Sequence, residues 1–181
     1  MNLPNKLTIM RVCLIPVFLV CMLTPLGEGN GKWIAFSVFL IASITDFLDG
    51  YIARRDNLVT NFGKFMDPIA DKLLVCSAMF CFVALNRPGK WFVWVAIVIM
   101  AREFTISGFR VVAADNGVVI AASKWGKIKT VFQIIMSCML IANLDYEWYR
   151  MLTVIVVIIA TILTIVSLID YMIKNINVIK M

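Results

Sequence analysis

Apolar residues recur along the chain in six long stretches, which short polar segments separate. Each stretch approaches the roughly 20 residues that an α-helix needs to cross the hydrocarbon core of a membrane. This pattern predicts an all-α, polytopic membrane protein with about six transmembrane helices, in a single domain over residues 1–181. The predicted helices are 7–24, 33–54, 64–85, 91–112, 126–143 and 150–172. The connections 25–32 and 86–90 are rich in glycine, proline and asparagine, which favour turns.

Composition narrows the chemistry that such a protein performs. Of the 181 residues, 62% are hydrophobic and 15% are charged, and histidine is absent. The absence of histidine excludes Ser-His-Asp catalysis, phosphohistidine intermediates and zinc sites with histidine ligands. The five cysteines lie inside apolar stretches without the spacing of metal ligands, so we interpret them as small buried hydrophobic residues. Carboxylates, hydroxyls, lysine, arginine and a hard metal ion remain for catalysis.

Basic residues are distributed unevenly between the two ends of the predicted helices. Of the 17 Lys and Arg residues, 12 belong to the end that carries both chain termini, and Arg102 lies within a span. The other end has Lys32, Arg87, Lys90 and Arg150, together with four of the five tryptophans, as expected of an interfacial aromatic belt. The positive-inside rule therefore predicts cytoplasmic termini. Because the basic residues are scattered among membrane helices, the sequence does not favour a nucleic-acid partner.

Four aspartates between residues 46 and 71 are the strongest chemical signal. Asp46 and Asp49 lie three positions apart on the second predicted helix, and Asp67 and Asp71 lie four apart on the third. Both spacings place side chains on one face of a helix. The apolar runs 33–45 and 73–85 are only 13 residues long, so both helices must continue through the aspartates before leaving the membrane. The four carboxylates are therefore predicted to converge near the headgroup level.

Four carboxylates at this depth repel one another and are costly to bury unless cations compensate them. We favour Mg²⁺ or Mn²⁺ because both ions prefer carboxylate oxygens and suit phosphate chemistry. Two ions would account for four carboxylates. The alternative is that the aspartates cap helix ends or form ion pairs with neighbouring basic residues, namely Arg54, Arg55, Lys64 and Lys72.

Small residues and one proline accompany the aspartates. Gly50, Ala53 and Gly63 allow a base or a phosphate to approach the backbone closely, or alternatively allow two helices to pack tightly. Pro68 lacks the N–H group that a helical hydrogen bond needs. It therefore either kinks the third helix or marks the first turn of that helix.

The pattern Asp46-x2-Asp49-Gly50-x2-Ala53-Arg54-x8-Gly63-x3-Asp67-x3-Asp71 resembles the signature of the CDP-alcohol phosphatidyltransferases at all eight of its positions. The resemblance extends over essentially the whole chain. Segments 101–104, 107–110 and 122–130, and the opening 2–8 with Arg11, resemble the members whose acceptor is glycerol 3-phosphate. The resemblance therefore implies transfer of the phosphatidyl group of CDP-diacylglycerol to glycerol 3-phosphate in the cell membrane. The bias of basic residues predicts that the site faces the cytoplasm.

The resemblance also implies roles for individual residues. Asp46, Asp49, Asp67 and Asp71 would hold two metal ions, and Asp71 would in addition be the general base for the acceptor hydroxyl. The residues implied to bind CDP-diacylglycerol are Asn5, Thr8, Gly50, Arg54, Thr60 and Gly63. The family resemblance further implies a homodimer.

An acceptor that carries a phosphate needs a second, basic site. Ser107 and Arg110 lie on one stripe of the fourth helix, and Lys127 lies on the fifth with Lys124 beside it. We predict that these four residues bind the acceptor phosphate. The alternative for each basic residue is contact with lipid headgroups, and this is the favoured interpretation for Lys129. Arg102 and its neighbour Glu103, inside a span, are expected to pair with opposite charges, either structurally or in support of the site.

Other functions remain open at this point. Within the family, a cardiolipin synthase or an inositol-phosphate transferase would use a different acceptor. A divalent-cation transporter would use the four aspartates as its ion site, but it would need a second access route, and the tryptophan-rich end has no comparable polar cluster. A non-catalytic scaffold would not explain carboxylates at membrane depth.

Overall fold

The computed structural model describes residues 3–24, 31–55, 61–115, 120 and 123–176, without the side chains of residues 3–4, 47–55, 61–62 and 64–65. These residues form six α-helices and no strand. The helices are α1 (Leu3–Leu23), α2 (Gly31–Arg55), α3 (Asn61–Ala84), α4 (Phe92–Asp115), α5 (Lys124–Ala142) and α6 (Glu147–Lys174). All six predicted helices are therefore confirmed. The largest difference is at α1, which begins at Leu3 rather than at residue 7.

The early start of α1 and the sharp end of α3 have local causes. The predicted start of α1 was placed at Leu7, where the long apolar stretch begins. The helix begins earlier and includes the polar residues Asn5 and Lys6. After α3, Asn86 adopts the left-handed conformation, with φ 53°. The N–H group of Arg87 then donates to the carbonyl oxygen of Phe82 at 2.8 Å, which closes the helix end. The residue after Arg87 is Pro88, which cannot continue the helix.

Pro68 lies inside α3 rather than at its start, because the helix already begins at Asn61. The interpretation of Pro68 as a first-turn residue is therefore wrong. An interior proline removes one backbone hydrogen bond and favours a bend in the helix. Pro68 follows Asp67 directly, so this weakened turn of α3 carries Asp67 and immediately precedes the turn of Asp71.

Within the described residues, four helices have both the length and the apolar composition that membrane crossing requires, namely α1 from Asn5 onward, α4, α5 and α6. The helices α2 and α3 are 25 and 24 residues long, which also suffices to cross, but they carry the aspartates and basic residues of the motif. The chain is therefore an all-α polytopic membrane protein.

The distribution of side chains on α6 is typical of a membrane helix. Its buried face carries small or polar residues, including Thr153, Ala160, Thr164 and Ser167. Its exposed residues include the bulky apolar side chains Ile155, Ile158, Ile162, Ile165 and Ile169. In lipid there is no hydrophobic force between helices, so small and polar residues form the helix contacts and large apolar residues face outward.

The chain divides into two compact units. The first comprises α1, α2 and α3 together with Leu140–Asn143. In it, α1 packs along both α2 and α3. Phe18 of α1 and Phe39 of α2 are in contact, with ring centroids 5.9 Å apart. The small buried residues Ala35 and Ala42 allow α2 to approach closely.

The second unit comprises α4, α5 up to Met139, and α6. The helices α4 and α6 pack against each other, and the rings of Phe109 and Tyr171 meet edge to face at 6.0 Å. The hydroxyl group of Tyr149 donates to the carbonyl oxygen of Met139 at 3.1 Å. The single domain expected over residues 1–181 stays a prediction.

Candidate active site

Asp46 on α2 forms an ion pair with Arg11 on α1. Nη1 of the arginine lies 2.8 Å from Oδ1 of the aspartate. The arginine side chain is fully buried, whereas 42% of the aspartate side chain is exposed. A buried arginine is costly unless an anion compensates it, and Asp46 supplies that anion. Arg11 in turn balances one of the motif carboxylates without any added ion.

Asp67 on α3 accepts a hydrogen bond from Thr8 on α1. The distance from Oγ1 of the threonine to Oδ1 of the aspartate is 2.6 Å, which is typical of a hydroxyl donating to a carboxylate. Thr8 and Arg11 lie three positions apart, so their side chains leave the same face of α1 on adjacent turns. One face of α1 therefore holds a carboxylate of α2 and a carboxylate of α3 at the same end of the first unit.

The other predicted residues of this site are described only in part. Asp71 lies one turn after Asp67 on α3, and its side chain is partly buried. Gly63 of α3 and Asn5 of α1 are buried. The positions whose side chains or whole residues lie outside the description are Asp49, Gly50, Ala53, Arg54 and Thr60.

The donor atoms of this site fit a hard divalent cation, because they are carboxylate oxygens. Thr8 and Arg11 hold two of these carboxylates in defined positions from one helix face. Among the side chains that the structure describes, however, no three acidic or cysteine groups come close enough to surround one ion. The described part of the site thus provides oriented carboxylates rather than a complete coordination sphere.

The alternative partners of the aspartates were Arg54, Arg55, Lys64 and Lys72, and only the last of these has a described side chain. Its ammonium group lies 3.4 Å from the carbonyl oxygen of Pro68, one helical turn earlier. Asp46 pairs with Arg11, a basic residue that this alternative did not name.

The predicted acceptor residues lie on α4 and α5 in the second unit. Arg110, Lys124 and Lys127 are exposed, and within the described part of the chain no ion pair neutralises them. Ser107 donates its hydroxyl hydrogen to the backbone carbonyl of Glu103 at 2.8 Å. One exposed cation near the end of α4 and two at the start of α5 are therefore available to an anionic ligand.

Lys129 differs from these cations because it is only 2% exposed. Its ammonium group forms an ion pair with the carboxylate of Glu103 on α4. The expectation that Lys129 contacts lipid headgroups is therefore wrong. The reason is its position on α5. Lys129 lies on the buried face, followed at successive turns by Gln133 and Met136, whereas Lys127 lies on the exposed face.

Arg102 and Glu103 form a buried polar network, as the prediction of opposite charges required. Nη1 of Arg102 donates to Oε1 of Glu103 at 3.1 Å, and Nη2 donates to the hydroxyl oxygen of Ser167 on α6 at 2.7 Å. With Lys129, the network connects all three helices of the second unit. Gly126 of α5 lies beside Arg102, since a Cβ atom there would be 3.4 Å from Nη2 of the arginine.

Sequence reasoning missed two of these relationships. Arg11 was counted as a basic residue of the cytoplasmic end and as part of the family resemblance, without a partner, but it continues the face of Ile15, Phe18 and Met22 at three- and four-residue steps. A charged residue on an apolar helix face indicates burial against a partner, and that signal was present. The contact of Ser167 with Arg102 had no comparable signal, because hydroxyl residues are common on membrane helices.

Comparison with known proteins agrees with the motif. A family model described as CDP-alcohol phosphatidyltransferase matches residues 1–166. The chain belongs to this family. It is 47% identical over 157 residues, which are 81% of this chain and 80% of its relative, to a CDP-diacylglycerol–glycerol-3-phosphate 3-phosphatidyltransferase of Bacillus subtilis (strain 168).

Proteins of the same name in other bacteria are also similar. The relative from Rickettsia typhi is 42% identical over 132 residues, which cover 73% of this chain and 71% of the relative. That from Haemophilus influenzae is 40% identical over 136 residues, which cover 74% and 72%. CDP-alcohol phosphatidyltransferases use a divalent metal ion, which agrees with the carboxylate donors of the first unit.

Proposed function

We propose that this chain transfers the phosphatidyl group of CDP-diacylglycerol to glycerol 3-phosphate, giving phosphatidylglycerophosphate and CMP. The main support for the proposal is a single observation. The complete eight-position aspartate motif stands in a chain that is 47% identical to a bacterial enzyme named for this reaction. The orientation of Asp46 and Asp67 by one face of α1 supports a preorganised catalytic site rather than a scaffold.

The donor lipid binds at the motif of the first unit in this proposal. Asn5, Thr8, Gly50, Arg54, Thr60 and Gly63 bind CDP-diacylglycerol. Asp46, Asp49, Asp67 and Asp71 hold two divalent ions, Mg²⁺ or Mn²⁺. Bound there, the ions neutralise charge on the pyrophosphate and make the departure of CMP easier.

Asp71 acts as the general base. It takes the proton from a hydroxyl group of the acceptor, and the hydroxyl oxygen forms a bond to the β-phosphorus of CDP-diacylglycerol. The bond from that phosphorus to the oxygen bridging the two phosphates breaks. The electron pair leaves on CMP. A positioned carboxylate of this kind typically contributes a factor of about 10²–10⁴ to the rate.

The phosphate of the acceptor binds to Ser107, Arg110, Lys124 and Lys127. Support comes from the exposure of the three cations and from the lack of ion pairs on them within the described residues. Guanidinium and ammonium groups form charge-assisted hydrogen bonds to a dianionic phosphate. This second site distinguishes glycerol 3-phosphate from acceptors without a phosphomonoester.

The active site faces the cytoplasm from the cell membrane, and the enzyme is a homodimer. The charge bias of the helix ends supports the orientation. The relatives are bacterial, which supports the cell membrane as the location. The transporter alternative is set aside because the family is one of transferases.

The test is an acceptor panel with the purified chain in detergent. CDP-diacylglycerol is supplied with glycerol 3-phosphate, phosphatidylglycerol or inositol phosphate, and CMP and lipid products are measured. We expect CMP and phosphatidylglycerophosphate to form in equal amounts when the acceptor is glycerol 3-phosphate, and no transfer to the other two acceptors. Faster transfer to another acceptor would overturn the proposal for the acceptor, and no CMP with any acceptor would overturn the reaction.

A further inference from the structure

The buried face of α1 changes from polar to apolar along the helix. Its buried residues continue at three- and four-residue steps, which is the period of one helix face. They are Asn5, Thr8, Arg11, Ile15, Phe18 and Met22. The apolar half packs against α2 through Phe18. The polar half lies where α2 and α3 carry the motif aspartates.

Packing alone does not account for the polar half. Burying a hydroxyl group and a guanidinium group is costly, and apolar residues of similar volume usually serve packing as well or better. Thr8 and Arg11 are nevertheless fully buried. Thr8 donates a hydrogen bond to Asp67, and Arg11 forms an ion pair with Asp46. The two contacts reach α2 and α3 from adjacent turns of a single helix.

We propose that Thr8 and Arg11 are positioning residues, which orient Asp67 and Asp46 as ligands for a divalent cation. A carboxylate on a helix has several rotamers, and a donor from a neighbouring helix restricts it to one of them. Removal of such an outer partner typically lowers metal affinity or activity about 10- to 100-fold. This role rests on the proposed metal-dependent function. It gives Thr8 a second role besides its proposed contact with the donor lipid, and it gives Arg11 a role that is exerted through Asp46.

Thr8→Val is the sharpest test, because it exchanges a hydroxyl for a methyl group and changes no charge. The full chain in detergent is titrated with Mn²⁺ in the absence of substrate, and free Mn²⁺ is followed by electron paramagnetic resonance. We expect the dissociation constant to rise about 10- to 100-fold. Thr8→Ser retains the hydroxyl donor, so its Mn²⁺ dissociation constant should stay within about threefold of that of the original chain.

Thr164→Val is the matched control. Thr164 is 1% exposed and donates only to a backbone carbonyl, that of Ala160 at 2.7 Å. The same chemical change there should leave the Mn²⁺ dissociation constant unchanged. Thermal unfolding of all three variants separates a general loss of stability from a specific loss of metal affinity.

Arg11 is tested with Arg11→Lys and Arg11→Met. The lysine retains the positive charge but not the planar fork of donors, so we expect kcat to fall while the protein still unfolds cooperatively. Arg11→Met removes the charge and should lower kcat further. If Arg11→Met fails to fold, Thr8→Val and Arg11→Lys still test whether the two residues orient the carboxylates.

The outcomes separate two kinds of failure. If the original chain binds no Mn²⁺, the metal-dependent function itself fails. If the original chain binds Mn²⁺ and Thr8→Val binds it equally well, Thr8 is not a positioning residue and only this inference fails. An equal loss of affinity in Thr164→Val would show that buried hydroxyl groups act through general stability instead.

Discussion

Lys129 of α5 and Glu103 of α4 form an ion pair 26 positions apart in the chain, with 3% and 13% of their side chains exposed. Arg102 binds the same carboxylate oxygen and also the hydroxyl group of Ser167 on α6. Two buried cations thus share one partly buried carboxylate. The carboxylate connects α4 with α5, and Arg102 extends the network to α6 through Ser167.

Glu103→Gln should strongly destabilise the protein, because it removes the negative charge that the buried Arg102 and Lys129 share. Breaking a buried ion pair in this way typically costs about 3–5 kcal/mol. The control is Asp145→Asn. Asp145 pairs with Arg150 at 2.9 Å, but both side chains are largely exposed, so the loss should be about 0–1 kcal/mol. Thermal unfolding in detergent measures both, and similar unfolding temperatures would contradict the structural role of the network.

Asp67→Asn should abolish phosphatidyl transfer without preventing membrane insertion. The amide oxygen can still accept the hydrogen bond from Thr8, so the substitution removes mainly the charge that a cation needs. Excess chelator should have the same effect on the original chain, and added Mg²⁺ or Mn²⁺ should restore activity. Asp115→Asn, at the exposed end of α4, is the control and should remain active. Undiminished transfer in chelator would remove the metal from the mechanism.

Arg110→Ala should raise the KM for glycerol 3-phosphate about tenfold or more and leave the KM for CDP-diacylglycerol nearly unchanged. The reason is the loss of a charge-assisted hydrogen bond to the acceptor phosphate, worth about 1.5–3 kcal/mol. Arg150→Ala removes another exposed arginine and should change neither KM. An unchanged acceptor KM in Arg110→Ala would favour an acceptor without a phosphate group or a different binding position.

Asp71→Asn should lower kcat rather than the affinity for either substrate. Loss of a general base typically costs a factor of about 10²–10⁴ in kcat, and more if metal binding fails as well. Steady-state kinetics with each substrate varied in turn provide the measurement. A kcat within threefold of the original would assign the proton transfer to another group.

A reporter fused after Lys180 should be cytoplasmic, because 12 of the 17 basic residues belong to the end that carries the termini. A second reporter inserted between Asn86 and Lys90, in the turn between α3 and α4, should be outside. Labelling of intact cells distinguishes the two locations. The reverse pattern would place the aspartate motif on the outer face.

The helices and the chemistry of the motif could be predicted from the sequence because both depend on local information. An apolar run of membrane-spanning length has few structures available other than a helix, since backbone polar groups find no water in lipid. The spacing of Asp67 and Asp71 likewise places both on one face of α3 whatever surrounds that helix. Only the helix ends shifted, as at α1, where polar residues extend a helix that the apolar pattern starts later.

The partners of the charged residues were decided by the tertiary structure. In the sequence Lys127 and Lys129 are near neighbours of equal charge, yet one is exposed and the other is buried against Glu103. Arg11 and Asp46 are likewise far apart in the chain and meet only because α1 packs against α2. The physical reason is that a charge inside a membrane protein is stable only beside its counter-charge, and which face meets which is a property of helix packing that no local pattern contains.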